Sequence, residues 1–323
     1  MKNYDILREA DNAPPPKWRI FWTKKPGKKK HRRLCVPVGE KMKEILNVLK
    51  SRVKGLGGPM PSATGFRDGV SIFDSVCRHK SRFGKTKVFN RFIVILDIKN
   101  AYRSVDAPEL TCILAKINPK QFSGYLRTNN FIEDYCFDPE YGGVAMGAPS
   151  SNDLFNVYCE YKIDQKFREI CKKFGLTYTR YVDDLMFSSQ CVITEEIRKK
   201  LRQILTDAGF QINDKKAKVY DLRKGPVVVN GIGITYEGRT FLPRKVLISI
   251  RGKIHCALKG EPVNLFQIHG LMGLFKNMTD LSKLNSTEKA VLEAYQKLQG
   301  ISIPIVVDDP DEFCFDTDDW NED

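Results

Sequence analysis

Tyr178-Thr179-Arg180-Tyr181-Val182-Asp183-Asp184-Leu185-Met186-Phe187-Ser188-Ser189 carries the strongest signal in this chain. Two adjacent carboxylates sit between residues rich in β-formers and aromatics, a pattern that predicts a hairpin with acids at its tip. A second stretch, Arg91-Phe-Ile-Val-Ile-Leu-Asp97, is an apolar run that stops at an aspartate. It reads as a buried strand that delivers a third carboxylate to the edge of a sheet. A solvated acidic turn would explain the pair alone, but an unpaired acid ending an apolar strand is energetically expensive. Converging carboxylates are hard oxygen ligands suited to Mg²⁺, and paired Mg²⁺ ions ~3.5–4 Å apart catalyse phosphoryl transfer.

Further blocks surround these acids. Gly65-Phe-Arg-Asp-Gly-Val-Ser-Ile72 lies ahead of them, and Met146-Gly-Ala-Pro-Ser-Ser151 lies between them, with Asn156 five residues on. Ala208-Gly-Phe-Gln-Ile-Asn-Asp-Lys-Lys216 and Val229-Asn-Gly-Ile-Gly-Ile234 follow. In this order and spacing the blocks resemble those of bacterial reverse transcriptases of the retron and group II intron type, from about Lys24 to the Leu271 region. Ordinary core strands and turns would not explain the shared order.

The resemblance implies an α+β right-hand polymerase fold. Fingers and palm, an antiparallel sheet flanked by helices, would occupy residues 1–240, a small helical thumb 241–300 and an acidic tail 301–323. It implies that Asp97 and Asp183 ligate two Mg²⁺ ions, or Mn²⁺, and that Asp184 completes the cluster. One ion would lower the pKa of a primer 3′-hydroxyl and the other would hold the incoming dNTP and its leaving pyrophosphate. Tyr102 falls where the family places a steric gate against the ribose 2′-hydroxyl, which argues for DNA synthesis. Lys25, Arg32 and Arg33 match basic residues of a fingers hairpin that contact the triphosphate, and Arg can grip phosphate in a bidentate fashion. Taken bare, that run would be a solvated loop. Met146, Gly147 and Lys216 would also border the nucleotide. Gly65, Phe66, Arg67, Asn230 and Gly231 fall in blocks that the resemblance places along nucleic acid.

The chain also departs from its relatives, which usually show Pro-Gln-Gly-Ala-Pro-Thr-Ser-Pro where it has Ala145-Met-Gly-Ala-Pro-Ser-Ser-Asn152. Met146 fills the volume of the glutamine that packs near the nucleotide sugar but cannot make its hydrogen bonds. Of the retron Asn-Ala-x-x-His signature, Ser75-Val-Cys-Arg-His79 keeps only the histidine, and Val229-Asn230-Gly231 stands where retrons show Val-Thr-Gly. The lineage therefore stays open between retrons and related phage-defence enzymes, including one that extends DNA without a template. A different class, an RNA-binding scaffold with a vestigial site, is opposed by the three intact acids. An RNA polymerase sharing the palm is opposed by Tyr102.

The 323 residues carry a net charge of +14, and the sixteen from Asp308 onward hold nine acids and no Lys or Arg. Without those nine acids the remainder rises from +14 to +23, a surplus that fits sequence-independent contacts with nucleic-acid backbones. The acidic tail is expected to be a disordered solvating end, and its interleaved Phe313, Phe315 and Trp320 add the alternative of docking on a basic surface of this protein or on a partner. Nine scattered cysteines without a Cys-x-x-Cys pair argue against a zinc site or a disulfide framework. No leader or apolar run of ~18 residues is visible, so a cytoplasmic setting without membrane contact is expected.

Helical periodicity predicts helices over 41–54, 151–174 and 195–208, then 244–258, 265–278 and 287–298. The last three form the expected thumb, with Lys245, Arg251 and Lys253 on a face for the minor groove of a template–primer duplex. Nothing remains for a nuclease or integrase domain, which favours a stand-alone bacterial enzyme. Its expected partners are a cognate structured non-coding RNA as template and primer, the RNA–DNA hybrid it yields, dNTPs and an effector protein encoded nearby. Antiphage defence follows by family analogy.

Overall fold

The computed structural model describes residues 5–24, 31–56, 60–83 and 85–299. Lys25 and the acidic tail lie outside the described residues.

In chain order, Asp5 caps the short helix Ile6–Asp11 (α1) through the Arg8 N–H. Lys17–Lys24 (β1) and His31–Val38 (β2) pair antiparallel with Lys24 opposite His31, so two strands flank the basic run. Glu40–Leu56 (α2) buries the predicted stripe Ile45, Leu46, Leu49 and Val53. Ile72–Cys77 (α3) precedes the antiparallel pair Lys80–Phe83 (β3) and Thr86–Phe89 (β4). Phe92–Asp97 (β5) is followed by Ala107–Ile117 (α4), capped by Asp106, and by Tyr125–Cys136 (α5).

The stretch read as one helix over 151–174 is instead Ser151–Cys159 (α6), a π-helical turn at Glu160–Asp164, and Gln165–Phe174 (α7). Periodicity does not register a π turn because it absorbs one residue without breaking the run. Gly175 ends α7 in the left-handed conformation. Thr177–Tyr181 (β6) and Asp184–Ser189 (β7) form the predicted hairpin. Thr194 caps Glu195–Asp207 (α8), which buries Leu201, Ile204 and Leu205. Lys218–Asp221 (β8) then completes a four-stranded sheet of order β6-β7-β5-β8. Val227–Val229 (β9), Ile232–Ile234 (β10) and Thr240–Phe241 (β11) make a three-stranded sheet, followed by Arg244–Leu258 (α9), Leu265–Met278 (α10) and Ser286–Gln299 (α11).

The chain divides into two compact units. The first comprises residues 1–75 and 92–219, the second residues 76–91 and 220–323. In the first, strands β5, β6 and β7 and helices α2, α4, α5, α6, α7 and α8 enclose a core that includes Leu96, Phe131, Phe155, Phe167 and Phe187. In the second, α9 packs on α10 and α11 around Ile250, Ile254, Phe275, Val291 and Tyr295. The β3–β4 hairpin joins this unit across a long sequence gap. Phe89 N–H donates to the Tyr236 carbonyl at 3.2 Å, and Arg91 grips Asp221 through two hydrogen bonds of 2.8 and 2.7 Å. That clamp lowers the Asp221 carboxyl to about 2. No helix among the described residues is long and apolar enough to cross a membrane.

Candidate active site

The antiparallel register of β5 and β7 sets Asp97 opposite Asp184, and Val182 and Asp183 form the two-residue turn between β6 and β7. Ile98 N–H donates to the Asp183 carbonyl at 3.0 Å, which ties the end of β5 to the hairpin tip. The period of two along a strand makes this placement strict, since a slip of one residue would send Asp97 to the other face. Asp97 is only 2% exposed, and its Oδ2 accepts from Lys216 Nζ at 3.1 Å. The loop that carries Lys216 is held there because Asn213 N–H donates to the Asp97 carbonyl at 2.9 Å.

Among the described residues, no three His, Cys, Asp or Glu side chains stand gathered as a ready-made metal cage. The donor set at the sheet edge nevertheless suits hard divalent cations: three carboxylates on adjoining backbone, one of them buried and paired with a cationic ammonium.

Val182 adopts a left-handed conformation at φ 57°, which a β-branched residue reaches only at a cost of about 1–3 kcal/mol. Its surroundings impose it. Arg180 is fully buried, and its Nη1 donates to the Val182 carbonyl at 3.1 Å and to Asn156 Oδ1 at 3.0 Å. Its Nε and Nη2 grip Asp164, also fully buried, at 3.0 and 2.8 Å. Tyr178 completes the cluster by donating to Asp164 Oδ1 at 2.7 Å. Burial opposes the charge on Arg180, but Asp164 outweighs it and keeps the guanidinium firmly protonated. Burial and Asp164 together push the Tyr178 hydroxyl well above its ordinary pKa.

The π turn explains how Asn156 and Asp164 both reach Arg180. At about 100° per residue, eight residues of α-helix would set the two side chains roughly 80° apart. Absorbing one residue in a wider turn brings them to within about 20°.

From the other side, the segment 62–65 runs along β6, with Arg180 N–H donating to the Ser62 carbonyl and Thr64 N–H to the Arg180 carbonyl, both at 2.8 Å. Asn156 Nδ2 holds the Gly65 carbonyl at 3.0 Å. A Cβ on Gly65 would meet Val182 Cγ2 at 2.8 Å and Val182 N at 2.9 Å. Gly65→Ala should therefore push the acidic turn aside. We expect a stability loss of about 1–3 kcal/mol and an incorporation defect larger than the folded fraction accounts for. Melting by circular dichroism and primer extension in parallel check this, and parent-like values in both would remove Gly65 from the support of the turn.

Tyr102 stacks on Phe155 with centroids 4.9 Å apart, and its hydroxyl donates to Asn152 Oδ1. Burial and then Asp183 raise the Tyr102 hydroxyl pKa, while Arg180 and Arg32 act to lower it. Asp183 and Arg32 thus both lie within electrostatic reach of the Tyr102 hydroxyl. Arg33 is committed inward instead: it grips Asp138 at 2.9 and 3.1 Å, meets Glu140 at 2.6 Å and covers the Tyr141 ring. Cys35 donates to the same carboxylate, and burial first, then Asp138, pushes its thiol up to about 11. Met146 accepts from Cys35 N–H at 2.7 Å. Gly147, at φ 107°, brings its Cα so close to β2 that a Cβ would sit 3.1 Å from the Cys35 carbonyl oxygen.

Phe66, 52% exposed, and Arg67 line a pocket of about 370 Å³ with Lys50, Lys54, Asp153 and Tyr181. In the second unit, Asn230 and Gly231 form the β9–β10 turn, both at positive φ, as a two-residue Asn-Gly hairpin requires. Lys245 and Arg251 are exposed on α9, and Lys253 donates to Gln267 Oε1 at 2.7 Å. Sequence reasoning missed Asp164 and the role of Arg180; the available signal was a cation at an inward position of a strand.

The profile of the family described as "Reverse transcriptase (RNA-dependent DNA polymerase)" matches residues 23–242. The chain belongs to that family. Within it, the retron Mx162 reverse transcriptase of Myxococcus xanthus is 31% identical over 182 residues, 47% of this chain and 36% of that protein. The retron Ec86 reverse transcriptase of Escherichia coli is 24% identical over 82% of this chain and 78% of its own length. The retron Mx65 reverse transcriptase of M. xanthus is 27% identical over 72% of this chain and 57% of its own. The chain thus spans between about a third and four-fifths of these retron relatives. Among solved structures, telomerase from Candida albicans, in complex with a fragment of telomeric RNA, has a TM-score of 0.53 at 13% identity over 88% of this chain and 56% of that one. Apo telomerase from Candida tropicalis gives 0.52 at 13% identity, over 92% and 62%. The family shares the right-hand polymerase fold, and this α+β chain has it.

Proposed function

We propose that the chain is a retron-type RNA-directed DNA polymerase that joins dNTPs to a primer hydroxyl. The observation that carries this reading is the register pairing Asp97 with Asp184 beside Asp183 at the hairpin tip. Asp97, Asp183 and Asp184 would hold two Mg²⁺ or Mn²⁺ ions, which when bound supply charge to activate the primer hydroxyl and stabilise the leaving pyrophosphate. Lys216, within hydrogen-bond distance of Asp97, can neutralise or protonate a departing phosphate from its place beside the acids.

Tyr102 would wall off the ribose 2′-position, and Arg32 would meet the triphosphate, while the internal pairing of Arg33 leaves less of its fork to share. The pocket beside Tyr181 offers Lys50, Lys54 and Arg67 to phosphates and the Phe66 ring to a base, the ingredients of a single-strand path. Lys245, Arg251 and Lys253 would follow the product duplex by its backbone. The two units correspond in this reading to catalytic and thumb functions. A dedicated structured RNA template, an effector partner, a cytoplasmic setting and an antiphage role complete the proposal by analogy with retrons.

Primer extension on an RNA template with a DNA primer, labelled dNTPs and Mg²⁺ tests the reading. The expected product follows the template sequence and disappears on chelation. Product formed equally without template would favour untemplated synthesis, and bound RNA without incorporation would favour a scaffold.

A further inference from the structure

Asn152, near the start of α6, is the residue that the Tyr102 hydroxyl meets. Tyr102 is fastened twice by α6. Its ring lies on Phe155 at 4.9 Å with planes 22° apart, and its hydroxyl donates to Asn152 Oδ1. Residues 152 and 155 are three apart on one helix, so both fasteners come from a single face. The backbone beneath Tyr102 is fixed as well: Val144 N–H donates to the Tyr102 carbonyl at 2.8 Å, and a Cβ on Gly143 would fall 2.5 Å from that oxygen. A wall that excludes one hydroxyl works only if it cannot yield, because a ring free to swing admits the extra oxygen by moving. Stacking limits tilt of the ring, whereas a hydrogen bond at its tip limits swing, and an apolar side chain at 152 would have no acceptor to supply it.

We infer that Asn152 is a positioning residue for sugar discrimination: it anchors the tip of Tyr102 and so sharpens preference for deoxynucleotides over ribonucleotides. The inference rests on the polymerase reading above and adds the residue that stiffens its gate.

The test is the ratio of kcat/KM for one dNTP to that for the matching rNTP, measured on the full chain with an RNA template and DNA primer. Asn152→Ala should lower the ratio roughly three- to tenfold, the range of one neutral hydrogen bond, mainly by raising the rNTP value. Tyr102→Phe, which keeps the ring and removes the donor, should lower it equally, and the double variant should fall no further. Asn152→Asp, which keeps an acceptor, should retain selectivity. An unchanged ratio in an active Asn152→Ala protein, or full additivity in the double variant, overturns the inference alone. Should Asn152→Ala not fold, Tyr102→Phe against the parent decides it in the same way. A parent that incorporates nothing on RNA overturns the polymerase reading and this inference with it.

Discussion

Replacing Asp183 and Asp184 together with asparagine should cut nucleotide incorporation by on the order of 10³-fold or more, the scale on which removing preorganised charge at a reacting centre acts. Asparagine nearly preserves the shape of each side chain, so the β6–β7 hairpin and its register with β5 should survive. The two carboxylates are adjacent on one turn, and Asp97 lies opposite Asp184, so their mutual repulsion works against the fold. Losing both charges should leave the melting temperature unchanged or slightly higher. Catalysis is thus lost without a loss of stability, which separates a chemical role from a structural one. Primer extension and thermal melting of the same preparation provide the measurement. Incorporation within tenfold of the parent would show that these acids do not carry the chemistry.

Asp164→Ala makes the second large perturbation, at a residue remote in sequence from every acid above. It leaves the Arg180 guanidinium fully buried without its counter-charge, a situation that destabilises by about 3–5 kcal/mol. For a unit of this size that corresponds to a fall of roughly 10 °C in melting temperature. The loss should reach the active site too, because Arg180 also holds the carbonyl of Val182 in its strained conformation. A double variant, Asp164→Leu with Arg180→Leu, distinguishes the two effects. Apolar replacement of both partners removes the uncompensated charge and should recover most of the stability, yet incorporation should stay low because nothing then grips the turn. A parent-like melting temperature for Asp164→Ala would mean that the pair does not brace this turn. Recovery of full activity in the double variant would mean the same.

The periodic parts of this fold are legible in the sequence. The helices at 244–258 and 265–278 carry their apolar stripes openly, and the hairpin around Asp183 is marked by acids between β-formers. The three acids are marked by the strand-like runs that carry them, whereas Lys216 stands out only through the resemblance of its block to a known family, and the register of β5 and β7 brings Asp97 and Asp184 face to face. What sequence reasoning could not supply are properties that arise only from packing. Arg180 is one strand residue among others until Asp164, sixteen positions earlier, is seen to be its partner. The π turn that delivers Asp164 leaves no periodic mark. Gly65 appears as a turn residue, whereas its need for hydrogen in place of a side chain comes from Val182. Arg32 and Arg33 are neighbours of identical type, and only strand alternation decides that Arg33 points inward to Asp138. The division into units follows neither composition nor a linker, because the second unit is assembled from two separated stretches of chain.

That discontinuity has a consequence for synthesis on the ribosome. Everything the first unit requires has been translated by Val219, but the second unit begins at Val76. The Phe89 amide cannot meet the Tyr236 carbonyl until about 150 further residues have been added. At ~5–20 residues per second this delay is roughly 7–30 s. Through that interval the β3–β4 hairpin hangs from a nascent chain with strand edges that its final neighbours have not yet covered, the kind of surface that chaperones protect. The oldest piece of the second unit is therefore among the last to reach its final surroundings, after the acid-bearing sheet has had the means to form.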